Sequence, residues 1–598
     1  MPLLQLVVIC TLVVLCSLAE ADRVFKESQS GPGTSIEYRK TSICETTPNV
    51  PSYAGYVHLT SPSIRDLQGS QPFNVSTFFW YFSARRNAST APLVLYLAGG
   101  PGQSSTYSAL TENGPCYALA NGNSTMLNPF SFNDRVNVLY VDQPNQVGFS
   151  HDEVVEGVLD VLDGSILPGP AEESTTRIAG KFASQKPEAT VNTTALAAKT
   201  MWYFLQTWLA EFEEYHGPKN TLKIWGHSYG GAFAASLATH VLHQNARISN
   251  GTLPCTRYRP IHVPAIGFTN GFLDLEAQVM SYATYAYNNT YGFQIYDDAT
   301  YNHVLDSITR SGGCVDGIHK CRAAKAQFDP DDIGNDLTAN AICAEVGKFC
   351  FENVLGPFYA LANVSEFDIA APKANPYPPM WAANFLNQPW VRKELGVPDG
   401  LNFTLVSKTV KNNFLATADM VRYEGGQDLT FLLNEGVQVA MVYGDRDWKC
   451  SWLGAQNLTL SLPWTSHGPF AAAPYINLTL SPPSQLRTTA IVRQHTLLSF
   501  ARVFQSGHSP SWYSPLTTQT VFTRAMLGKD IPWGVHDTED FVRYEEQRLP
   551  GWWEELPTGT VETQCSLWNT GTSCTEAQKQ ALANGTAKVV DWRVVSPS

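Results

Sequence analysis

Beyond its first 21 residues the chain has no uncharged apolar run long enough to cross a bilayer, and its C-terminal end shows no hydrophobic tail of the kind that precedes a lipid anchor. No membrane anchor is therefore expected. Charge is sparse, at 16% of residues, and basic residues are the scarcer sign, 40 against 53 acidic, for a net charge of −13. That balance argues against nucleic acid and anionic lipid as partners. None of the 12 cysteines stands in a C-x-x-C spacing, which removes the usual structural zinc frames, and no metal or cofactor is expected. No internal repeat is visible, so repeat architectures are set aside.

Hydrophobic residues make up 44% of the 598, a globular proportion sufficient for one large core or two ordinary ones. Met1 to Ala21 reads as a secretory signal: Leu3 to Leu18 is a short apolar core and Ala19-Glu20-Ala21 fits a small-x-small cleavage site, although the usual basic residue near the start is missing. Cys10 and Cys16 would leave with it, and the ten that remain are an even number, which suggests disulfides. Cys565 with Cys574 would close a local loop; the other pairings stay open. Sequons at Asn74, Asn87, Asn123, Asn192, Asn250, Asn288, Asn363, Asn402, Asn457, Asn477 and Asn584 imply N-glycosylation. The expected destination is outside the cell, or a vacuole or lysosome reached by the secretory route, as a monomer or homodimer.

Strand-like runs at Tyr56–Leu59 and Val75–Phe82 suggest a hairpin or meander at a sheet edge. Leu93–Leu97, ending in Ala98-Gly-Gly-Pro-Gly102, and Val136–Val141, ending in Asp142-Gln-Pro144, are short buried strands followed by turn-rich loops, the output of a mostly parallel sheet. Residues 157–190, rich in Pro, Ser, Thr and Glu and without periodicity, read as a long surface loop. Apolar spacing predicts a helix over Thr194–Tyr215, capped by Thr193 or Thr194. Ile261–Thr269, Gly436–Tyr443 and Thr496–Phe504 read as further core strands. The expected organisation is a signal (1–21), the first part of an α/β core (22–271), a helical, cysteine-bearing cap insertion (272–425), the second part of the core (426–531) and a C-terminal extension (532–598). The extension carries five tryptophans and is expected to lie on the body.

The organising stretch is Leu222-Lys-Ile-Trp-Gly-His-Ser-Tyr-Gly-Gly231. An apolar strand breaks into G-x-S-x-G at Gly226–Gly230 and continues as a helical run, which is the context the nucleophile elbow requires. A serine needs a base within hydrogen-bond reach, and the base an orienting acid. With this elbow both follow the serine, acid first. Asp445 and Asp447 stand just past the strand ending at Tyr443, and His508 alone among the later histidines follows the last strand-like run. The predicted catalytic set is Ser228, His508 and one of the two aspartates.

These motifs resemble the serine carboxypeptidases, exopeptidases with the α/β-hydrolase fold. Ala98-Gly-Gly-Pro-Gly102 is similar to the family's N-G-G-P-G, Glu112-Asn-Gly-Pro115 to its E-x-G-P, and Gly226-His-Ser-Tyr-Gly230 to its G-E-S-Y-x-G. Asn128-Pro129, Asp142-Gln-Pro144, Gly148-Phe-Ser150, Gly444-Asp-Arg-Asp447, Gly507-His508 and Gly528-Lys-Asp-Ile531 follow in order. The resemblance implies Asp447 as the catalytic acid, Asp445 as a turn residue, an oxyanion hole from the N–H groups of Gly100 and Tyr229, and a peptide substrate. It also places carboxylate-binding residues at Ala98, Glu112 and His227, beside Gly99, where the family has Asn, Glu and Glu. Tyr107, Thr111 and Ser509 occupy neighbouring binding positions.

Two of the three carboxylate positions are thus changed. In one reading His227, as an imidazolium below about pH 6.5, pairs with the substrate carboxylate and the peptidase survives. In the other, Gly-His-Ser-x-Gly marks an esterase or acyltransferase that has lost carboxylate recognition. His227 as a mere packing residue, or a secreted protein acting by binding alone, complete the set; retention of the full triad speaks against the last.

Overall fold

In the computed structural model, residues 23–29, 31, 33–67, 73–170, 172–373, 378–379, 381–480, 488–540, 542–545, 556 and 564–596 are described; the signal sequence expected over 1–21 lies outside them, as do Trp552 and Trp553. The body is built on one twelve-stranded sheet. Its strands in chain order are β1 (Arg23–Glu27), β2 (Thr34–Thr41), β3 (Ser52–Leu59), β4 (Val75–Phe82), β5 (Leu93–Leu97), β6 (Asn137–Val141), β7 (Lys223–His227), β8 (Ala265–Thr269), β9 (Gln438–Gly444), β10 (Tyr475–Asn477), β11 (Ala490–His495) and β12 (Leu498–Val503). In space they run β1-β2-β3-β4-β6-β5-β7-β8-β9-β12-β11-β10.

The six strands from β6 to β12 pair in parallel, and antiparallel meanders extend the sheet at both ends. The central strands are buried along their whole length because both faces are covered, which is why they read as unbroken apolar runs. Alternation along β5 divides the two cores: Leu93, Leu95 and Leu97 join one, Val94 and Tyr96 the other. The first core takes the helices Thr194–Glu211 and Gly230–Ser249 through Trp202, Leu205, Trp208 and Ala235. The second takes the helix Pro515–Met526 through Val521, Phe522 and Ala525. This is the α/β-hydrolase fold, with helices on both faces of the sheet.

Several expectations hold at residue level. Thr193 caps the first helix, its side chain accepting from the Leu196 N–H, and Tyr56–Leu59 and Val75–Phe82 lie in adjacent antiparallel strands. The reading of 157–190 as one long loop is corrected: Val154–Asp160, Ile166–Pro168 and Arg177–Ala183 form a separate three-stranded antiparallel sheet. Its outer positions are mostly half-buried or exposed, so it lacks the apolar alternation by which a strand announces itself.

Helices fill most of the segment between β8 and β9. Two of them, Cys314–Phe328 and Leu337–Cys350, are cross-linked twice, by Cys314–Cys350 and Cys321–Cys343. Cys44–Cys116 and the expected Cys565–Cys574 complete the bridges. Full pairing of the ten cysteines is not borne out, since Cys255 is exposed and free and Cys450 buried and free. Sequon Asn402 is also shielded: its side chain accepts from Arg392, and its Nδ2 lies 2.1 Å from where a Cβ on Gly180 would sit. In the tail, Trp568 meets Trp592 edge-on, and Trp533 meets Tyr544. No helix among the described residues is long and apolar enough to cross a membrane.

Candidate active site

The chain leaves β7 at His227 and turns at Ser228 with φ of +58°, a left-handed conformation that costs a non-glycine residue free energy. Backbone bonds hold the turn: Ser228 N–H donates to Thr269 O at 3.1 Å, and Ser228 O accepts from Gly231 N at 3.0 Å and Phe272 N at 2.9 Å. The helix Gly230–Ser249 starts at once, so its N-terminal N–H groups and positive dipole end lie beside the serine. Two glycines make the turn possible. A Cβ on Gly230 would stand 2.1 Å from Leu97 O, and one on Gly99 2.4 Å from Tyr229 N and 2.7 Å from the Ser228 Cβ. The loop after β5 therefore lies directly on the elbow, next to Gly100 and the Tyr229 N–H.

Asp447 follows β9 and is fully buried. Its Oδ2 is 2.6 Å from His508 Nδ1 and accepts from Asn270 Nδ2 at 2.8 Å, while Oδ1 accepts from the Cys450 N–H at 3.2 Å. The Cys450 thiol is within hydrogen-bonding reach of Ser228, and burial, with Asp447 beside it, pushes the thiol well above its ordinary pKa. Asp447, Cys450 and His508 each offer one potential ligand atom within 4.8 Å of the others. Oδ2 of Asp447 and Nδ1 of His508 are, however, engaged with each other. His508 N–H donates to Phe367 O at 2.8 Å, and the Phe367 ring lies 4.8 Å from the imidazole.

Asp445 is more than the turn residue that was expected. It is fully buried, accepts from Tyr291 Oη at 2.6 Å and pairs with Arg502 at 3.0 Å, tying the acid turn to β12 and to the helical segment. Arg446 pairs with Asp368 at 3.1 Å, and Ile369 N donates to Arg446 O at 3.0 Å. The stretch 365–369 thus buttresses both the acid loop and the histidine loop.

Glu112, His227 and Ser509 form a polar cluster against His508, whose ring lies 4.8 Å from that of His227. Burial pushes the Glu112 carboxyl up to about 7, against the opposing influences of His508, Ser509 and Ser108. His227 Nε2 donates to His508 O at 2.9 Å, which fixes the tautomer with a lone pair on Nδ1. That lone pair faces Glu112 Oε2 at 3.4 Å, too loosely oriented for a hydrogen bond. Burial, helped by His508, pushes the His227 imidazolium down to about 3. Enclosure and an N–H already spent on a carbonyl both favour the neutral ring over the imidazolium. Ala98 is buried in the second core, with its N–H on Ser105 Oγ at 3.0 Å.

Ser228, His508, Gly100, Tyr229, Glu112 and His227 all line one cavity of about 690 Å³. Apolar and aromatic side chains, among them Leu355, Phe358, Tyr359 and Phe414, line another part of it. Asp142 braces the loop beneath, accepting from Ser104 Oγ at 2.6 Å, Thr106 N at 3.0 Å and Phe149 N at 3.2 Å. Sequence reasoning missed Asn270, Cys450, Phe367 and Asp368. Asn270 and Cys450 carried a faint signal, since each follows a core strand or the acid turn by a few residues. Phe367 and Asp368 carried none, because they arrive from the helical segment.

The chain matches the family model described as serine carboxypeptidase over residues 43–528. It is 38% identical over 589 residues to the carboxypeptidase S1 homolog A of Arthroderma benhamiae, covering 96% of this chain and 88% of that protein. It is 28% identical to the carboxypeptidase S1 of Penicillium janthinellum, covering 82% of this chain and 99% of that one. Among solved structures, a prohormone-processing carboxypeptidase from Saccharomyces cerevisiae, Kex1(Δ)p, superposes with a TM-score of 0.57 at 17% identity, over 81% of this chain and 94% of that one, a likeness of fold. With the elbow and the late histidine lining one cavity, the late acid bonded to that histidine, and a family match running through all three, the chain belongs to the serine carboxypeptidase family.

Proposed function

We propose that the protein releases C-terminal amino acids from peptides by acyl transfer to Ser228. The observation that carries the reading is that His508, held at 2.6 Å by the buried Asp447, lines the same cavity as Ser228, with a buried carboxyl of raised pKa close by. In the mechanism His508 takes the Ser228 proton as Oγ attacks the last peptide carbonyl. Asp447 holds the Nδ1–H and stabilises the imidazolium as it forms. The N–H groups of Gly100 and Tyr229 receive the oxyanion, and the helix start at Gly230 adds to the same field. His508 then passes its proton to the leaving amine, the C–N bond breaks, and water, deprotonated by the same ring, hydrolyses the acyl-enzyme.

Glu112 supplies carboxylate recognition. Below about pH 7 its carboxyl is protonated and can donate to the substrate's terminal carboxylate. His227 holds the histidine loop through its Nε2–H and leaves no second acid at the position. Four disulfides among the described residues suit an oxidising compartment and support a secreted or vacuolar destination.

The test pairs an N-blocked dipeptide with its C-terminal amide. The acid should be cleaved and the amide spared, and a fluorophosphonate should label wild type but not Ser228→Ala. Turnover of simple esters with no peptide cleavage between pH 4 and 8 would overturn the reading.

A further inference from the structure

The family match ends at residue 528, yet the cavity does not. Gly571 and Thr572, from the C-terminal extension, line the same space as Ser228 and Glu112. They sit in the short helix Thr570–Ser573, inside the loop that Cys565–Cys574 closes. We propose that this loop is a wall of the substrate site and limits the size of the residue that departs.

The loop is fixed from several directions. Thr570 Oγ1 donates to Val161 O, and Ser566 Oγ donates to Asn384 Oδ1. Ser566 N donates to Ser573 Oγ at 2.9 Å and Leu567 N to Trp592 O at 2.9 Å, while Arg593 Nη1 donates to Ala120 O at 2.8 Å. The extension therefore bridges the three-stranded sheet, the helix Trp381–Leu386 and the loop after Cys116–Ala118.

Which end of the substrate it meets follows from the two cores. Cys565, Leu567, Trp568 and Cys574 belong to the core that holds Tyr107 and Leu110, on the helix leading to Glu112. Ser566 is bonded to Asn384 of the helix Trp381–Leu386, which packs on that same helix, whereas Phe272, Leu355, Phe358 and Phe414 of the cavity lining belong to the other core, two of them packed on Tyr229. The loop thus stands on the Glu112 side. That side takes the departing residue if Glu112 binds the terminal carboxylate, a step that rests on the function proposed above. Gly571 is exposed, and a Cβ there would meet nothing within 4 Å. Bulk added at this point projects into open space and leaves the packed loop undisturbed.

The experiment compares wild type with Gly571→Trp and Thr572→Phe, and with Gln580→Trp, which adds the same bulk on an exposed part of the extension away from the cavity. Three substrate series are read as kcat/KM: N-blocked dipeptides with Gly, Leu or Phe departing, dipeptides with a varied penultimate residue, and N-blocked amino-acid methyl and benzyl esters. Either cavity variant should slow large leaving groups about tenfold or more relative to small ones, with the penultimate-residue order unchanged. Gln580→Trp should match wild type, and the fluorophosphonate rate at Ser228 should report an intact elbow in each variant. A uniform loss, a loss that follows the penultimate residue, or no change in both cavity variants would overturn the proposal. If wild type cleaves esters and no peptides, the carboxypeptidase reading falls, while the methyl-to-benzyl ratio still decides whether the loop bounds the leaving side.

Discussion

At the scale of single residues, chemistry turns on where two protons sit. Glu112 gives up its proton near pH 7 because its site is dry, and the charge it then bears repels the carboxylate it is proposed to bind. The kcat/KM for N-blocked dipeptides should therefore fall as pH rises through about 7, while ester turnover stays level; Glu112→Gln should remove that limb. The sign for stability is the same. The folded carboxyl keeps a proton that the unfolded one releases near 4.5, so its contribution is complete below that pH and lost by about 7. His227 behaves oppositely: with its imidazolium held down to about 3, it is neutral throughout the working range. His227→Ala should lower kcat by a similar factor at pH 4.5 and pH 7.5, because what is lost is the Nε2–H bond to the His508 carbonyl. His227→Gln, which can still donate, should recover part of the rate. A loss confined to acid pH would restore the ring as a cation. Ser228 and His508 were legible as candidates because each follows a strand whose pattern is local, while that pattern left Asp445 and Asp447 open and the choice of Asp447 came from the family resemblance. The sequence left the role of His227 open because the protonation of a ring depends on its enclosure, which no neighbouring residue in the chain reveals.

Among the elements, the short pair Val364–Ser365 and Asp368–Pro372 does work out of proportion to its length. It presents the Phe367 carbonyl to the His508 N–H and the Asp368 carboxylate to Arg446, both ion-pair partners being nearly fully buried. Asp368→Ala would strand a buried guanidinium and should cost about 3–5 kcal/mol, measured by urea unfolding. Asp368→Leu combined with Arg446→Met removes the charges together and should cost much less. If the single and the double variant unfold alike, the pair is not what holds the two loops. Elements of this kind are poorly legible in sequence. The central strands were found because burial on both faces leaves an unbroken apolar run, as in Leu93–Leu97. The three-stranded sheet over 154–183 was read as loop because its partners are its own neighbours in the chain and its outer strands stay half in solvent. The pairing of Asp445 with Arg502 spans 57 residues and was equally hidden.

For the whole molecule, the question is what keeps the long helical segment in register with the elbow beneath it. A change of composition and its cysteines set 272–425 apart in the sequence as an expected insertion, and the two bridges between its helices were not assignable because four nearby cysteines can pair in several ways. Its fastenings to the core were invisible, and the one nearest the nucleophile runs through a single acid. Asp419 accepts from the Thr194 N–H at 2.9 Å and the Thr194 hydroxyl at 2.5 Å, at the start of a core helix, and also from the phenol of Tyr229, the residue that follows the nucleophile. One turn later Arg422, fully buried, pairs with Asp329 at 2.5 Å and Asp332 at 2.8 Å. Removing the Asp419 carboxylate leaves a buried N–H and two buried hydroxyls short of a partner, each such loss costing about 1–3 kcal/mol. It also frees the residue whose N–H is proposed to face the oxyanion. Asp419→Ala should therefore lower the unfolding temperature and reduce kcat at least about tenfold, the scale of one weakened oxyanion donor or less. Asp419→Asn, which keeps an acceptor for Tyr229, should restore most of the rate and less of the stability. Thermal unfolding and single-turnover kinetics on the same preparations separate the two effects. A destabilised Asp419→Ala enzyme with unaltered kcat would mean that the elbow holds its geometry without the segment above it.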